Sequence, residues 1–170
     1  MNYLFRLLSP NEIECRIAIC NQWGVQVLLY KDARADMNIL DESVGSLNWK
    51  REHISIDGRL YCTVLIYDPD KNEWISKQDV GTESNTEKEK GQASDAFKRA
   101  CTNWGIGREL YSCPSLFIYS QNLKTLRQEN GKWKCNDSFK VVDIKYDLNN
   151  TISYLKILNQ KTNQFIEFNS

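Results

Sequence analysis

Thr86-Glu-Lys-Glu-Lys-Gly-Gln-Ala-Ser-Asp-Ala-Phe-Lys-Arg-Ala-Cys-Thr-Asn-Trp-Gly105 is the stretch on which the fold turns. Ala93, Ala96, Phe97, Ala100, Cys101 and Trp104 recur at offsets 0, 3, 4, 7, 8 and 11, one stripe of a 3.6-residue helix. Thr86 and Glu89 have capping-box spacing, and Gly105 supplies the stop. A stripe of this kind needs an apolar surface to lie on. Lys98 and Arg99 fall outside it, on the open side of the helix with Lys88, Gln92, Asp95 and Thr102.

The surface lies just upstream. From Trp49 the period becomes two: Ile54 and Ile56 alternate, and Asp57-Gly58 is a two-residue hairpin signal. Arg59–Asp68 then runs as a second strand, with Leu60, Cys62, Val64 and Ile66 on one face and Tyr61, Thr63, Leu65 and Tyr67 on the other. Asp68-Pro-Asp-Lys-Asn72 is a turn, because Pro presets φ and Asp and Asn bond their own backbone. Trp74–Thr82 makes a third strand, so the three form an antiparallel meander.

Outward from this centre the signals are shorter. Trp23–Tyr30 is an apolar run of strand length, and Met37, Leu40 and Val44 recur at helical spacing before Gly45. Ile106–Cys113 reads as a short helical turn before Pro114, and Leu116–Tyr119 leads into a polar loop, Ser120–Asp137. Phe139–Tyr146, Thr151–Leu158 and Gln164–Phe168 read as strands, the first two joined by a turn at Asp147-Leu-Asn-Asn150. The expected fold class is α+β. Its antiparallel β-β-β-α core, a three-stranded meander packed on a long helix, lies within residues 1–119. Residues 120–170 form a β-rich C-terminal extension of the same domain.

At 170 residues the chain fits one domain and is too short for a two-domain enzyme. Its 22 Lys and Arg balance 22 Asp and Glu, which excludes a partner held by global charge but not one held by a local basic stripe. No apolar run approaches the length of a membrane span, and Arg6 breaks the opening apolar stretch, so neither a membrane protein nor a secretory signal is expected. The six cysteines include no C-x-x-C pair and sit in well-patterned segments. They read as reduced core thiols of a cytoplasmic protein.

Enzyme signatures do not appear. There is no P-loop, and Gly105-Ile-Gly107 lacks the third glycine and follows a helix, so it is no dinucleotide fingerprint. His53 is the only histidine. Asp79 and Glu83 lie four apart at the end of the third strand and could hold Mg²⁺ in a nuclease, or could simply complement a helix dipole with Glu87 and Glu89. The positive signal is basic residues beside aromatics: Lys98-Arg99, then Arg108, with Arg16, Lys31 and Arg34 near Tyr30. Cations neutralise phosphates and an aromatic face stacks a base, the chemistry of sequence-indifferent single-strand binding.

Asp79-Val-Gly-Thr82, the helix stretch Ala93-Ser-Asp-Ala-Phe-Lys-Arg-Ala100 and the ending Trp104-Gly-Ile-Gly-Arg-Glu-Leu-Tyr111 resemble the signature of the Rad-fifty-two/Rad-twenty-two family of single-strand annealing proteins. The ending is the variant of phage and bacterial members, the deinococcal DNA-damage-response relative among them. Tyr30–Trp49 is similar to the family's segment before the meander, so the resemblance covers about residues 12–119.

The resemblance implies a β-β-β-α unit that assembles into a homo-oligomeric ring and anneals complementary single-stranded DNA in recombination and break repair. It implies no ATP, metal or other cofactor, and a place in the cytoplasm or nucleoid of a bacterial host. By position, Lys98 and Arg99 match the pair lining the family's inner groove, where phosphates are held and bases turn outward. Arg16 and Tyr30 match an arginine and a tyrosine that complete it. Lys71, Lys88 and Lys90 are assigned to an outer DNA site. Thr102 stands where eukaryotic members carry a further arginine, a role left to Arg108. A single-strand-binding protein is an expected partner, although the long C-terminal tail that recruits one in eukaryotes is missing. The alternatives are a metal-dependent nuclease using Asp79 and Glu83, and a single-strand end-protecting protein that does not anneal.

Overall fold

The computed structural model describes residues 5–82 and 88–169, residues 88–90 by backbone alone. In chain order the elements are β1 (Ile13–Asn21), β2 (Gly24–Lys31), α1 (Ala33–Val44), β3 (Trp49–Ile56), β4 (Arg59–Asp68) and β5 (Glu73–Val80). Then come α2 (Lys88–Trp104), β6 (Leu116–Tyr119), β7 (Arg127–Glu129), β8 (Lys132–Lys134), β9 (Phe139–Tyr146), β10 (Ile152–Asn159) and β11 (Gln164–Asn169). The fold mixes α and β, and its strands pair antiparallel. No helix among the described residues is long and apolar enough to cross a membrane. The residues group into two compact units.

One unit holds Asp32–Arg108 with the residues up to Leu7. Its sheet runs β3-β4-β5. Asp57 and Gly58 close the first hairpin at φ 50° and 75°, the left-handed pair that the Asp-Gly signal requires. Register sets Trp49, Arg51 and His53 beside Ile66, Val64 and Cys62 on one face. That face meets α2. Trp49 stacks on Phe97 at 6.0 Å, the Arg51 guanidinium lies 4.5 Å from the Phe97 ring centre, and His53 Nε2 is 3.1 Å from the Ala93 carbonyl. Ala96, Phe97, Ala100 and Cys101 are buried, as the apolar stripe requires. Burying a side chain the size of Phe97 contributes about 1.5–3 kcal/mol.

α1 buries Ala35, Ile39, Leu40 and Val44 against α2 and β3, and Gly45 ends it at φ 85°. The capping box expected at Thr86 lies outside the described residues.

The other unit holds Leu8–Lys31 and the chain from Glu109 onward. Its six strands are ordered β11-β10-β9-β1-β2-β6, around a core of Ile13, Val25, Val27, Leu116, Ile118, Val141, Leu155 and Ile157. This order crosses the expected boundary at residue 119. β9 pairs with β1 through Glu14 and Lys140, because β1 has an open ladder edge that only a strand distant in sequence can complete. Leu8 is tied in from both sides: its N–H donates to Glu109 Oε1 at 2.7 Å and its carbonyl accepts from the Tyr146 hydroxyl at 2.8 Å.

The segment expected as one polar loop, Ser120–Asp137, carries the small β7–β8 hairpin. Its turn is Asn130-Gly131 at φ 50° and 74°. Behind it, the buried Asp137 carboxylate accepts from Lys124 N, Thr125 N, the Thr125 hydroxyl and Asn159 Nδ2 at 2.5–3.0 Å. All six cysteines are free thiols, and burial pushes Cys15 up to about 12 and Cys62 and Cys113 to about 11. These three are protonated packing groups at neutral pH.

Candidate nucleic-acid interface

The Asp-Val-Gly-Thr strand end and the helix that follows it interlock residue by residue. Asp79 Oδ1 accepts from Arg99 Nε at 3.3 Å, and Oδ2 accepts from Asn103 Nδ2 at the same distance. Asn103 Nδ2 also donates to the Gln78 carbonyl at 3.0 Å. Thr82 donates both its N–H and its hydroxyl to Asp95 Oδ2, each at 2.9 Å. Between them Gly81 lies so close to α2 that a Cβ would sit 2.3 Å from the Gln92 carbonyl oxygen and 2.9 Å from Ala96 Cβ. Any other residue would push the helix off β5.

This joint fixes Lys98 and Arg99, both half-buried, on α2. Arg99 is paired to Asp79. Lys98 lies near enough to Asp32 for its charge to act on that carboxyl. Asp32 caps α1, and its pKa is lowered first by the Arg34 backbone N–H, against burial, and further by the Arg34 guanidinium and Lys98. The Arg34 guanidinium is 3.0 Å from Asp32 Oδ2. Lys98, Arg99 and Arg34 thus stand beside two carboxylates, Asp32 and Asp79.

Arg108 stands at the end of α2. Its Nε and Nη2 donate to the carbonyls of Thr102 and Asn103 at 2.9 Å each, and Lys77 Nζ reaches the same Asn103 carbonyl at 2.8 Å. Helix ends leave carbonyls without intrahelical donors, and cations there also meet the negative end of the dipole. Arg108 therefore has a structural task as a C-terminal cap beside the one expected of it.

Arg16 and Tyr30 belong to the other unit. The register sets Arg16 opposite Leu28 and Glu14 opposite Tyr30, so the four side chains share one face of β1 and β2. The guanidinium lies 5.0 Å from the Tyr30 ring centre and 2.9 Å from Glu14 Oε2, with 61% of its side chain exposed. Lys31, the neighbour of Tyr30, is buried.

Lys71 sits in the exposed β4–β5 turn, 3.9 Å from Glu73. Lys88 and Lys90 open α2, and their side chains lie outside the described residues, as does Glu83. The structure thus brings Lys98, Arg99 and Arg108 together on and beyond one helix, and Arg16 together with Tyr30. The nuclease alternative meets an obstacle at Asp79, where a metal ion would compete with Arg99 and Asn103 for both carboxylate oxygens. Among the described residues no group of three or more His, Cys, Asp and Glu is arranged to hold a metal ion.

Sequence reasoning passed over Gly81, Asp95 and Asn103 as working parts of the joint. Periodicity puts Asp95 on the helix's open side, and only the neighbouring strand end shows why a carboxylate stands there. No family model matches the chain, and neither a curated protein nor a solved structure matches it.

Proposed function

We propose that this protein binds single-stranded DNA and anneals complementary strands without ATP or metal, as a homo-oligomeric ring working in recombination and double-strand break repair. In this reading β3, β4, β5 and α2 are the family's β-β-β-α unit, and Lys98 and Arg99 line the groove that holds one strand by its phosphates. The observation that carries it is the interlock of signature residues. Asp79, Gly81, Thr82, Asp95 and Arg99 are among the positions of the resemblance, and each makes a specific contact that holds α2 against the end of β5.

Net zero charge is compatible with this function. A ring repeats Lys98 and Arg99 along one groove, so the field at the DNA comes from repetition rather than from composition. Annealing runs downhill through base pairing, and the protein supplies alignment and relief of strand repulsion. The expected setting is the cytoplasm or nucleoid of a bacterial host, with a single-strand-binding protein as the natural supplier of coated strands.

Fluorescence anisotropy with a labelled single strand across a salt series tests the reading. Each phosphate neutralised on a single strand contributes about 0.7 to the log–log salt slope. Lys98→Ala/Arg99→Ala should weaken binding and flatten that slope. An unchanged slope and affinity would remove the two residues from the interface. A nuclease would instead shorten the strand in Mg²⁺ and spare it in EDTA, and an end-protecting protein would bind without speeding pairing.

A further inference from the structure

The chain is neutral as a whole, yet its charge is unevenly spread. Between positions 124 and 140 five lysines and arginines stand against two carboxylates, Glu129 and Asp137. The β7–β8 hairpin lies at the centre of this segment, wholly within the unit that runs on from Glu109. Its register sets Arg127 opposite Lys134, Gln128 opposite Trp133 and Glu129 opposite Lys132. Strand side chains alternate, so Arg127, Glu129, Lys132 and Lys134 share one face and Trp133 lies on the other. Those four are exposed, whereas Trp133 is half-buried.

Like charges directly opposite across a ladder repel. Arg127 and Lys134 are such a pair, and both turn to one carboxylate. Arg127 Nη2 is 3.3 Å and Lys134 Nζ 3.4 Å from Glu129 Oε2. Lys132 takes no part in these ion pairs. Three cations therefore share a single anion on a face about 7 Å long and one strand spacing, about 5 Å, across. Solubility alone is served by interspersed signs, which this face lacks.

A two-stranded hairpin by itself is marginal in water, so its position has to be fixed from below. The Thr125 hydroxyl donates to Asp137 and accepts from Asn136 N, at 2.5 Å and 2.8 Å, which clasps the two ends of the hairpin together. Asn159 Nδ2 of β10 then donates to Asp137 Oδ2 at 2.7 Å and to the Asn122 carbonyl at 2.9 Å. The cations stand on a scaffold locked by a buried polar network.

We propose that this face of the hairpin, through Arg127, Lys132 and Lys134, binds the phosphate backbone of DNA. The proposal rests on the reading above that the protein binds DNA, and it adds a phosphate contact carried by residues beyond the resemblance. Charge complementarity selects the occupant. A second copy of this chain is neutral, whereas a DNA strand brings one negative charge per roughly 3.4 Å of axis, about two along this face. Backbone contacts of this kind position the nucleic acid and carry no sequence information.

The test uses the full chain and three labelled probes: an oligothymidylate, an abasic oligonucleotide of equal length, and poly-glutamate. Lys132→Gln/Lys134→Gln should bind both oligonucleotides about tenfold more weakly at low salt. Its log–log salt slope should fall by about 1.4, 0.7 for each of two phosphates. Glu129→Gln should do the reverse and tighten both a fewfold, which no folding defect would produce. Lys132→Arg/Lys134→Arg should bind as wild type does. Unchanged DNA affinity in Lys132→Gln/Lys134→Gln would refute the proposal. A loss confined to the oligothymidylate would mean contact with bases, and a loss on poly-glutamate alone would mean a docking face for acidic proteins; either refutes it. Lys98→Ala/Arg99→Ala in the same titrations separates the hairpin from the groove. If that variant alone weakens, the hairpin fails and the groove stands. If the hairpin variant alone weakens, the groove assignment fails and the hairpin stands. Wild type that binds neither oligonucleotide would overturn both.

Discussion

Asp79 and Arg99 stand 3.3 Å apart, Oδ1 to Nε, so one of the two cations assigned to DNA already holds a carboxylate. The pair is partly exposed, at 25% for the Asp79 side chain and 43% for Arg99. Its contribution to stability is therefore small, about 0.2–1 kcal/mol. In the proposed groove its larger effect is on the field, because the carboxylate offsets the charge of Arg99.

Asp79→Asn keeps a hydrogen-bonding group at this position and removes one negative charge per subunit. Single-strand affinity at low salt should rise a fewfold, and its salt dependence should steepen. Anisotropy titrations of the variant against wild type check this. Weaker binding would mean that Asp79 serves DNA binding by positioning Arg99 rather than opposing it by charge.

Gly81→Ala should be the most disruptive small substitution at the joint. The added methyl would meet backbone oxygen at 2.3 Å, a neighbour that cannot swing aside as a flexible side chain could. Overpacking of this kind costs about 1–3 kcal/mol. Thermal melting should drop by roughly 2–4 °C for each kcal/mol. Wild-type melting would mean that α2 can lift from β5 at no cost.

Arg108 has both a cap to make and a DNA role proposed for it, and the two separate experimentally. Arg108→Ala should lower stability by about 1 kcal/mol, through the loss of two carbonyl contacts at the end of α2. Arg108→Lys should not restore it, because an ammonium lacks the fixed planar fork by which the guanidinium meets both carbonyls at once. Unchanged melting of both variants would remove the cap.

Asp137 gives the fold an acid sensitivity with a definite sign. Burial works to raise its pKa, but hydrogen bonds from the Thr125 hydroxyl, Lys124 N, Asn159 and Thr125 N outweigh it and hold the carboxyl below its ordinary range. A depressed native pKa contributes stability above the unfolded value, about 3.9, and loses it as pH falls through the native one. Asp137→Asn should therefore destabilise the protein at neutral pH and less so near pH 2, as denaturant midpoints across pH would report. A constant difference at every pH would contradict the linkage.

Much of this fold is written locally. The stripe from Ala93 to Trp104, the Asp57-Gly58 turn and the alternation in Arg59–Asp68 each specify an element from neighbours in sequence. β1 carried a readable alternation in Ile13, Cys15 and Ile17, and the Asn130-Gly131 turn is a hairpin signal; both lay within reach of the same reasoning. The pairing of β1 with β9 did not, since it joins Glu14 to Lys140 and nothing local selects a partner so far along the chain.

The candidate site divides in the same way. Lys98 and Arg99 stand out because two cations interrupt no apolar position. The carboxylate that engages Arg99 and the close approach at Gly81 appear only when helix and strand are placed together. Arg16 over Tyr30 is a register effect, visible once β1 is known to be a strand.

The annealing reading meets its most direct test in a pairing assay. Two complementary dye-labelled oligonucleotides are mixed in EDTA, without ATP, with wild type or with Lys98→Ala/Arg99→Ala. The account predicts that wild type accelerates duplex formation and that the double variant does not, while both melt at similar temperatures. Wild type that binds the strands and leaves their pairing rate unchanged would contradict it.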